Sequence, residues 1–169
     1  MLSEIQNTHV YTRALAATQI KPYKGLKLDH AIDTIGDALK LIHAQGFFID
    51  YTRHGPEHSI ELIKSLDWLI SDDQRGSLTD ADYLFLLLSC ALHDLGMLVT
   101  KDEFFRRDKK LISEFEEELK KTIHGGEFFG SIPKDYQYKE ELIFEEFVRH
   151  HHAARIRSAI LEPDRKRVE

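Results

Sequence analysis

His93 and Asp94 stand side by side at the end of the most apolar run of the chain, LLLSCALHDLGM at residues 86–97, where Gly96 breaks the pattern. A titratable pair in apolar surroundings is costly unless it is neutralised or partnered. The position sharpens the problem. A carboxylate at a helix C-terminus faces the negative end of the helix dipole, a placement unfavourable by about 0.3–1 kcal/mol. A bound cation would reverse that sign. Adjacent helical side chains do not stack on each other, yet both can converge on an ion beyond the helix end. The alternative is a protonated His93 stabilising the terminus, an exposed Asp94 beside it, and Gly96 as a left-handed cap. The motif alone leaves both readings open.

Other imidazoles bear on the choice. His54 and His58 flank Gly55-Pro56, and Pro56 suits the first helical position, which sets His58 in the first turn of a helix. His124 follows a long helical pattern and precedes Gly125-Gly126, where the backbone can bend closely around a site. His151 and His152 follow Phe147 and Val148 by four residues, so both emerge from an inward-facing stripe. Imidazole with carboxylate and no thiolate suits Mn, Fe, Ni, Zn or Mg. Cys90 is the single cysteine, which excludes an intramolecular disulfide and a cysteine-type structural zinc site, and it reads as a buried small hydrophobe. Arg53, Arg149 and Arg155 lie beside these histidines and could clamp an anion bidentately, with ordinary surface pairing as the alternative. His54 reads equally as a helix cap. His9, His30 and His43 read as surface or cap residues, and His150 as a surface neighbour of the two histidines after it.

The elements that must carry these groups are helical. Ser3-Glu4-Ile5-Gln6 has the form of a capping box, predicting a first helix from there to about Ala17. Leu28, Ile32, Ile35, Leu39 and Ile42 mark a second, ended by Gly46. A third begins at Pro56, with Ile60, Ile63, Leu66 and Leu69 or Ile70 along one face, and SDDQRGS is its exit loop. Thr79 to Asp82 caps a fourth, which is apolar nearly all round and therefore central. Thr100 opens a fifth, with Phe104, Leu111, Phe115, Leu119 and Ile123 inward, before HGGEFFGSIPKD disrupts the pattern. A sixth starts near Asp135 and runs through Leu142, Phe144, Phe147 and Val148 into the histidine run. The expectation is a single all-α bundle of about six helices spanning residues 1–169.

Composition sets the outer limits. A chain of 169 residues, 42% hydrophobic and 31% charged, has the balance of one globular domain. The longest apolar stretch, Tyr83 to Leu92, is short of the roughly 20 residues needed to cross a bilayer. No membrane partner is expected, and the lack of a secretory pattern at the N-terminus suggests the cytoplasm. A net charge of −6 argues against an extended nucleic-acid surface. An acidic protein that receives an anion needs local positive charge.

The segments HGPEHSIELI, ALHDLGM and VRHHHAARI, in that order, resemble the HD-domain metal-dependent phosphohydrolase superfamily. The resemblance runs from about Tyr51 to Arg157 and implies an HD-type helical bundle. It also implies His58, His93 and Asp94 as metal ligands, with His124 and His151 or His152 holding a second ion. The implied activity is hydrolysis of a nucleotide-like phosphomonoester or phosphodiester by a metal-activated water. Asp94 and His124 would be the catalytic groups, and Arg53, His54, Arg149 and Arg155 would contact substrate. The wording YTRHGPEHS and RHHHAAR is especially similar to HD-type domains attached to Hsp90-like ATP-binding modules, implying a partner ATPase domain and a longer protein of which this is the N-terminal part. Met97 stands where related signalling phosphodiesterases often carry Lys, and neither Asp135 nor Asp164 matches the family's late Asp. Those departures motivate the alternative of a catalytically weak or inactive metal- or nucleotide-binding sensor module. A helical scaffold with incidental histidines is the third reading.

Overall fold

The computed structural model describes residues 1–44, 54–133 and 138–161. Among them are ten α-helices, two short 3-10 segments and no strand. The all-α expectation holds, while about six helices become ten through two breaks and two short additions.

The first break divides α1 (Leu2–Ile5) from α2 (His9–Ala17). Ser3 lies inside α1 and does not cap it. Instead the Thr8 side chain accepts the Tyr11 amide, and the Asp67 carboxylate accepts the amides of His9 and Val10 at 2.8 and 3.0 Å. A carboxylate reaching across from another helix satisfies two donors that a helix start leaves free. That decides where α2 begins.

α3 (Leu28–Ala44) buries Leu28, Ile32, Ile35, Leu39 and Ile42, as their spacing predicts. Gly46, its predicted stop, lies outside the described residues. α4 (Pro56–Leu69) starts with Pro56 in its first turn and buries Ile63, while Leu69 is exposed and Ile70 packs against the core. The predicted exit loop contains a turn of helix, α5 (Asp72–Arg75), because Ser71 and Gln74 form a capping box. α6 (Asp80–Leu92) begins at the predicted Thr79–Asp82 box and is central: α2, α3 and α4 all pack on it. The small Ala14 and Ala17, both fully buried, let α2 lie close along it.

The fifth predicted helix is two. α7 (Lys101–Arg106) is capped by Thr100, and α8 (Lys109–Leu119) restarts where Asp108 accepts the amides of Lys110 and Leu111. The restart shifts the helical phase, so Phe104 and Leu119 are buried while Leu111 and Ile123 face outward. The segment after it is not a disruption but α9 (Ile123–Ser131), capped by Thr122. α10 (Lys139–Leu161) carries the histidine run, starting after the predicted Asp135, which lies outside the described residues. It packs against α8 and against the 3-10 segment η (His93–Met97) that follows α6.

Two glycines set these approaches. A Cβ on Gly96 would lie 2.0 Å from the His152 carbonyl oxygen, and one on Gly125 would lie 1.7 Å from that of Leu119. Only hydrogen fits at either place. Gly96 is therefore not a left-handed cap; its φ is not positive, and its role is to let η touch α10.

Candidate metal centre and its cleft

Asp94 is 2% exposed, and its Oδ2 is the point on which the nearby imidazoles close. His54 Nδ1 lies 3.1 Å from it, His93 Nε2 3.2 Å and His58 Nε2 4.0 Å. α4 and the residues before it bring His54 and His58; the tight turn of η, following directly on α6, presents His93 and Asp94 together. The exposed Asp94 of the alternative reading is thus corrected: it is buried and partnered. Burial pushes its carboxyl toward higher pKa, but hydrogen bonds from His54 and His93 and the charge on those rings outweigh this, holding it well below the ordinary carboxylate range. The hydrogen bond to Asp94 is the main cause of a raised His93 pKa, against desolvation and with help from the Cys90 carbonyl.

The donor set fits a divalent ion. The ligand atoms of His58, His93 and Asp94 all lie within 4.8 Å of one another. Bonds of about 2.0–2.2 Å in a tetrahedral site separate ligand atoms by roughly 3.3–3.6 Å, and the observed 3.2 and 4.0 Å bracket that span. His93 is also oriented for it: its Nδ1–H donates to the Cys90 carbonyl at 2.8 Å, so the Nε2 that donates to Asp94 in the metal-free chain would turn a lone pair to an ion on losing its proton. Cys90 itself is half-buried, and burial pushes its thiol up, away from reactivity.

A second cluster lies on the same cleft, built on a residue the sequence reading did not name. Glu146 is 1% exposed, and its Oε1 lies 2.8 Å from His124 Nε2 and 3.3 Å from His150 Nε2. Those three also meet the spacing of a metal site. Arg149 donates to both Glu146 oxygens and to His124 Nε2, so a guanidinium already supplies positive charge there. Partial desolvation holds His150 below its ordinary pKa despite Glu146 nearby. The sequence signal for this cluster was Glu146 four residues before His150, a same-face pair on a helix. His150 is therefore more than a surface neighbour.

The cleft has a volume of about 700 Å³. His54, His58, His93 and Asp94 line it from α4 and η, Glu146, Arg149 and His152 from α10, and His124, Glu127, Phe128 and Ser131 from α9. His152 donates its Nδ1–H to the Arg149 carbonyl at 2.6 Å.

His152 lines the cleft but joins neither cluster, and two other expected site residues are placed elsewhere. His151 stacks on Phe147 at 4.3 Å between ring centroids, meets Phe115 edge-on, and joins neither cluster. An α10 register that aims His152 into the cleft turns its neighbour about 100° away. Arg155 does not line the cleft: Nε donates to the Gly96 carbonyl at 2.7 Å, Nη2 to the Leu98 carbonyl at 3.0 Å, and Nη1 pairs with Glu103. Its guanidinium ties η to α10 rather than waiting for phosphate. Arg53 lies outside the described residues.

Among known proteins, a family model described as HD-CE matches residues 48–168. No curated protein and no solved structure matches the chain.

Proposed function

The chain belongs to the HD-CE family, and on that premise we propose that it is a metal-dependent phosphohydrolase acting on a nucleotide-like phosphomonoester or phosphodiester. The observation that carries this reading is a buried carboxylate, Asp94, at the focus of His54, His58 and His93. A divalent ion held by His58, His93 and Asp94 would supply Lewis-acid charge that acidifies a water nucleophile and offsets charge on phosphoryl oxygens.

The chain's own residues account for the rest. The Cys90 carbonyl fixes the His93 tautomer, so that its Nε2 stays a ligand. Asp94, kept ionised by its imidazole neighbours, would hold the ion and orient the nucleophile by accepting a hydrogen bond from it. His124 and His152 line the cleft and, when doubly protonated, would donate to the leaving oxygen, while Arg149, paired with Glu146, offers its guanidinium edge to the phosphoryl group.

A second reading, a metal- or nucleotide-binding sensor without turnover, coupled to a partner ATPase domain, is favoured by one observation. Met97, where related phosphodiesterases often carry Lys, is fully buried and supplies no phosphate contact. Elemental analysis of the purified chain after Mn, Fe, Ni, Zn or Mg loading, paired with hydrolysis assays on mononucleotides and generic phosphodiesters, separates the readings. About one equivalent of metal with turnover, both lost in Asp94→Asn and His93→Ala, is the expected result. Stoichiometric metal without turnover would select the sensor. No bound metal, with melting unchanged by chelator, would sink both.

A further inference from the structure

Beyond His124, which belongs to the second cluster, the cleft has a face that neither ion-binding cluster explains. His124, Glu127, Phe128 and Ser131 occupy positions i, i+3, i+4 and i+7 of α9, one side of the helix, and all four line the cleft that contains His58, His93 and Asp94. Among the described residues that line the cleft, Phe128 is the only hydrocarbon side chain. Its half-buried ring is braced edge-on by Phe129, with centroids 5.1 Å apart. Glu127 is exposed and has no hydrogen bond or ion pair to the described residues. Ser131 donates its hydroxyl to the Phe128 carbonyl at 2.7 Å, which leaves its oxygen as an acceptor.

This is poor company for phosphate. A free carboxylate repels a second phosphoryl group, whereas an aromatic ring beside acceptor oxygens suits a flat heterocycle with N–H donors. The imidazoles and the Arg149 guanidinium are grouped instead around Asp94 and Glu146. The cleft is therefore divided by chemistry, and about 700 Å³ lies within the usual range of small-molecule sites.

Resting on the phosphoester reading above, we infer that the cleft-facing side of α9 is a base-binding wall on which Phe128 stacks against the nucleobase of a nucleoside phosphate. The phosphoryl end then lies at His58, His93 and Asp94, and Glu127 accepts from the base edge. Phe128 acts as a specificity-determining residue.

The test is equilibrium calorimetry on the full chain loaded with Mn²⁺, titrated with AMP, GMP and ribose 5-phosphate analogues. In each, the 5′ oxygen is replaced by methylene, so that cleavage cannot interfere. Base–aromatic stacking corresponds to an affinity gain of about 5- to 150-fold. Both base-bearing probes should bind at least about fivefold tighter than the ribose probe. Phe128→Leu, which keeps apolar bulk and so protects the fold, should bring the ratio within about twofold without weakening the ribose probe, and Phe128→Trp should preserve it. Equal affinities in the unaltered chain, a ratio that survives Phe128→Leu, or no binding of any probe would overturn the inference. Failure is separable from that of the hydrolase reading: a base-dependent ratio without turnover of any ester leaves the wall standing, and turnover without a ratio removes the wall alone.

Discussion

Replacing Gly96 by Ala isolates the contact that joins the two sides of the site. The new Cβ would meet the His152 carbonyl oxygen at 2.0 Å, its carbon at 2.6 Å and its Cα at 2.9 Å. A carbon–oxygen contact settles at about 3.3–3.6 Å, so η and α10 must part by roughly 1.3 Å or more. These are backbone atoms within an α-helix, and a side-chain rotation cannot absorb the shift. Arg155 is strained with them, because its bonds to the Gly96 and Leu98 carbonyls span the same seam. Overpacking of this kind costs about 1–3 kcal/mol. Weakening charge-assisted bonds worth about 1.5–3 kcal/mol each adds to it. A net loss of about 2–4 kcal/mol is expected, or a Tm lower by roughly 5–15 °C for a chain of this length. Function should suffer more than metal binding. His58, His93 and Asp94 stay on their own side of the seam, so metal affinity should change by less than about tenfold. Misplacing the α10 groups by an ångström should lower phosphoester hydrolysis by about 100-fold. Thermal melts, metal titration and hydrolysis assays on the same preparation give all three readouts. A Gly96→Ala protein with unaltered melting and full hydrolysis would show that α10 is not held by this contact.

Two further outcomes follow from the same seam and centre. Arg155→Ala should lower stability by about 2–3 kcal/mol in chemical denaturation while leaving metal stoichiometry intact, and Arg155→Lys should restore little, because one ammonium cannot replace a fork reaching two carbonyls and Glu103. In chelator, the paired shifts of His93 and Asp94 set a window of stability. The raised His93 contributes fully below the ordinary imidazole value of about 6.5 and loses this as pH rises through its folded value, while the lowered Asp94 contributes fully above about 3.9 and loses it on acidification through its own. Melts across pH 3–9 should therefore show the metal-free chain most stable between about pH 4 and 6.5, and Asp94→Asn should flatten both edges.

Local pattern was enough for the helical class, the apolar faces of α3 and α6 and the caps at Thr79 and Thr100, while the grouping of His58 with the 93/94 pair came only from the family resemblance. Each of the former is a local property or a sum of local ones: periodicity writes a face into a helix, and a short polar side chain beside a free amide writes its start. Tertiary structure decided what those faces meet. Asp67 moved the start of α2 from outside it, and Asp108 re-phased the helix after α7, turning Leu111 and Ile123 outward. Glu146 looked like one more acid in a charged segment until α9 and α10 enclosed it with His124, Arg149 and His150. Arg155 looked free for phosphate until the carbonyls of Gly96 and Leu98 took up its donors. The cause is common to all of these. Whether a charge is buried, and which group answers it, depends on atoms remote in the chain, and a helix pattern records only its own side of the contact.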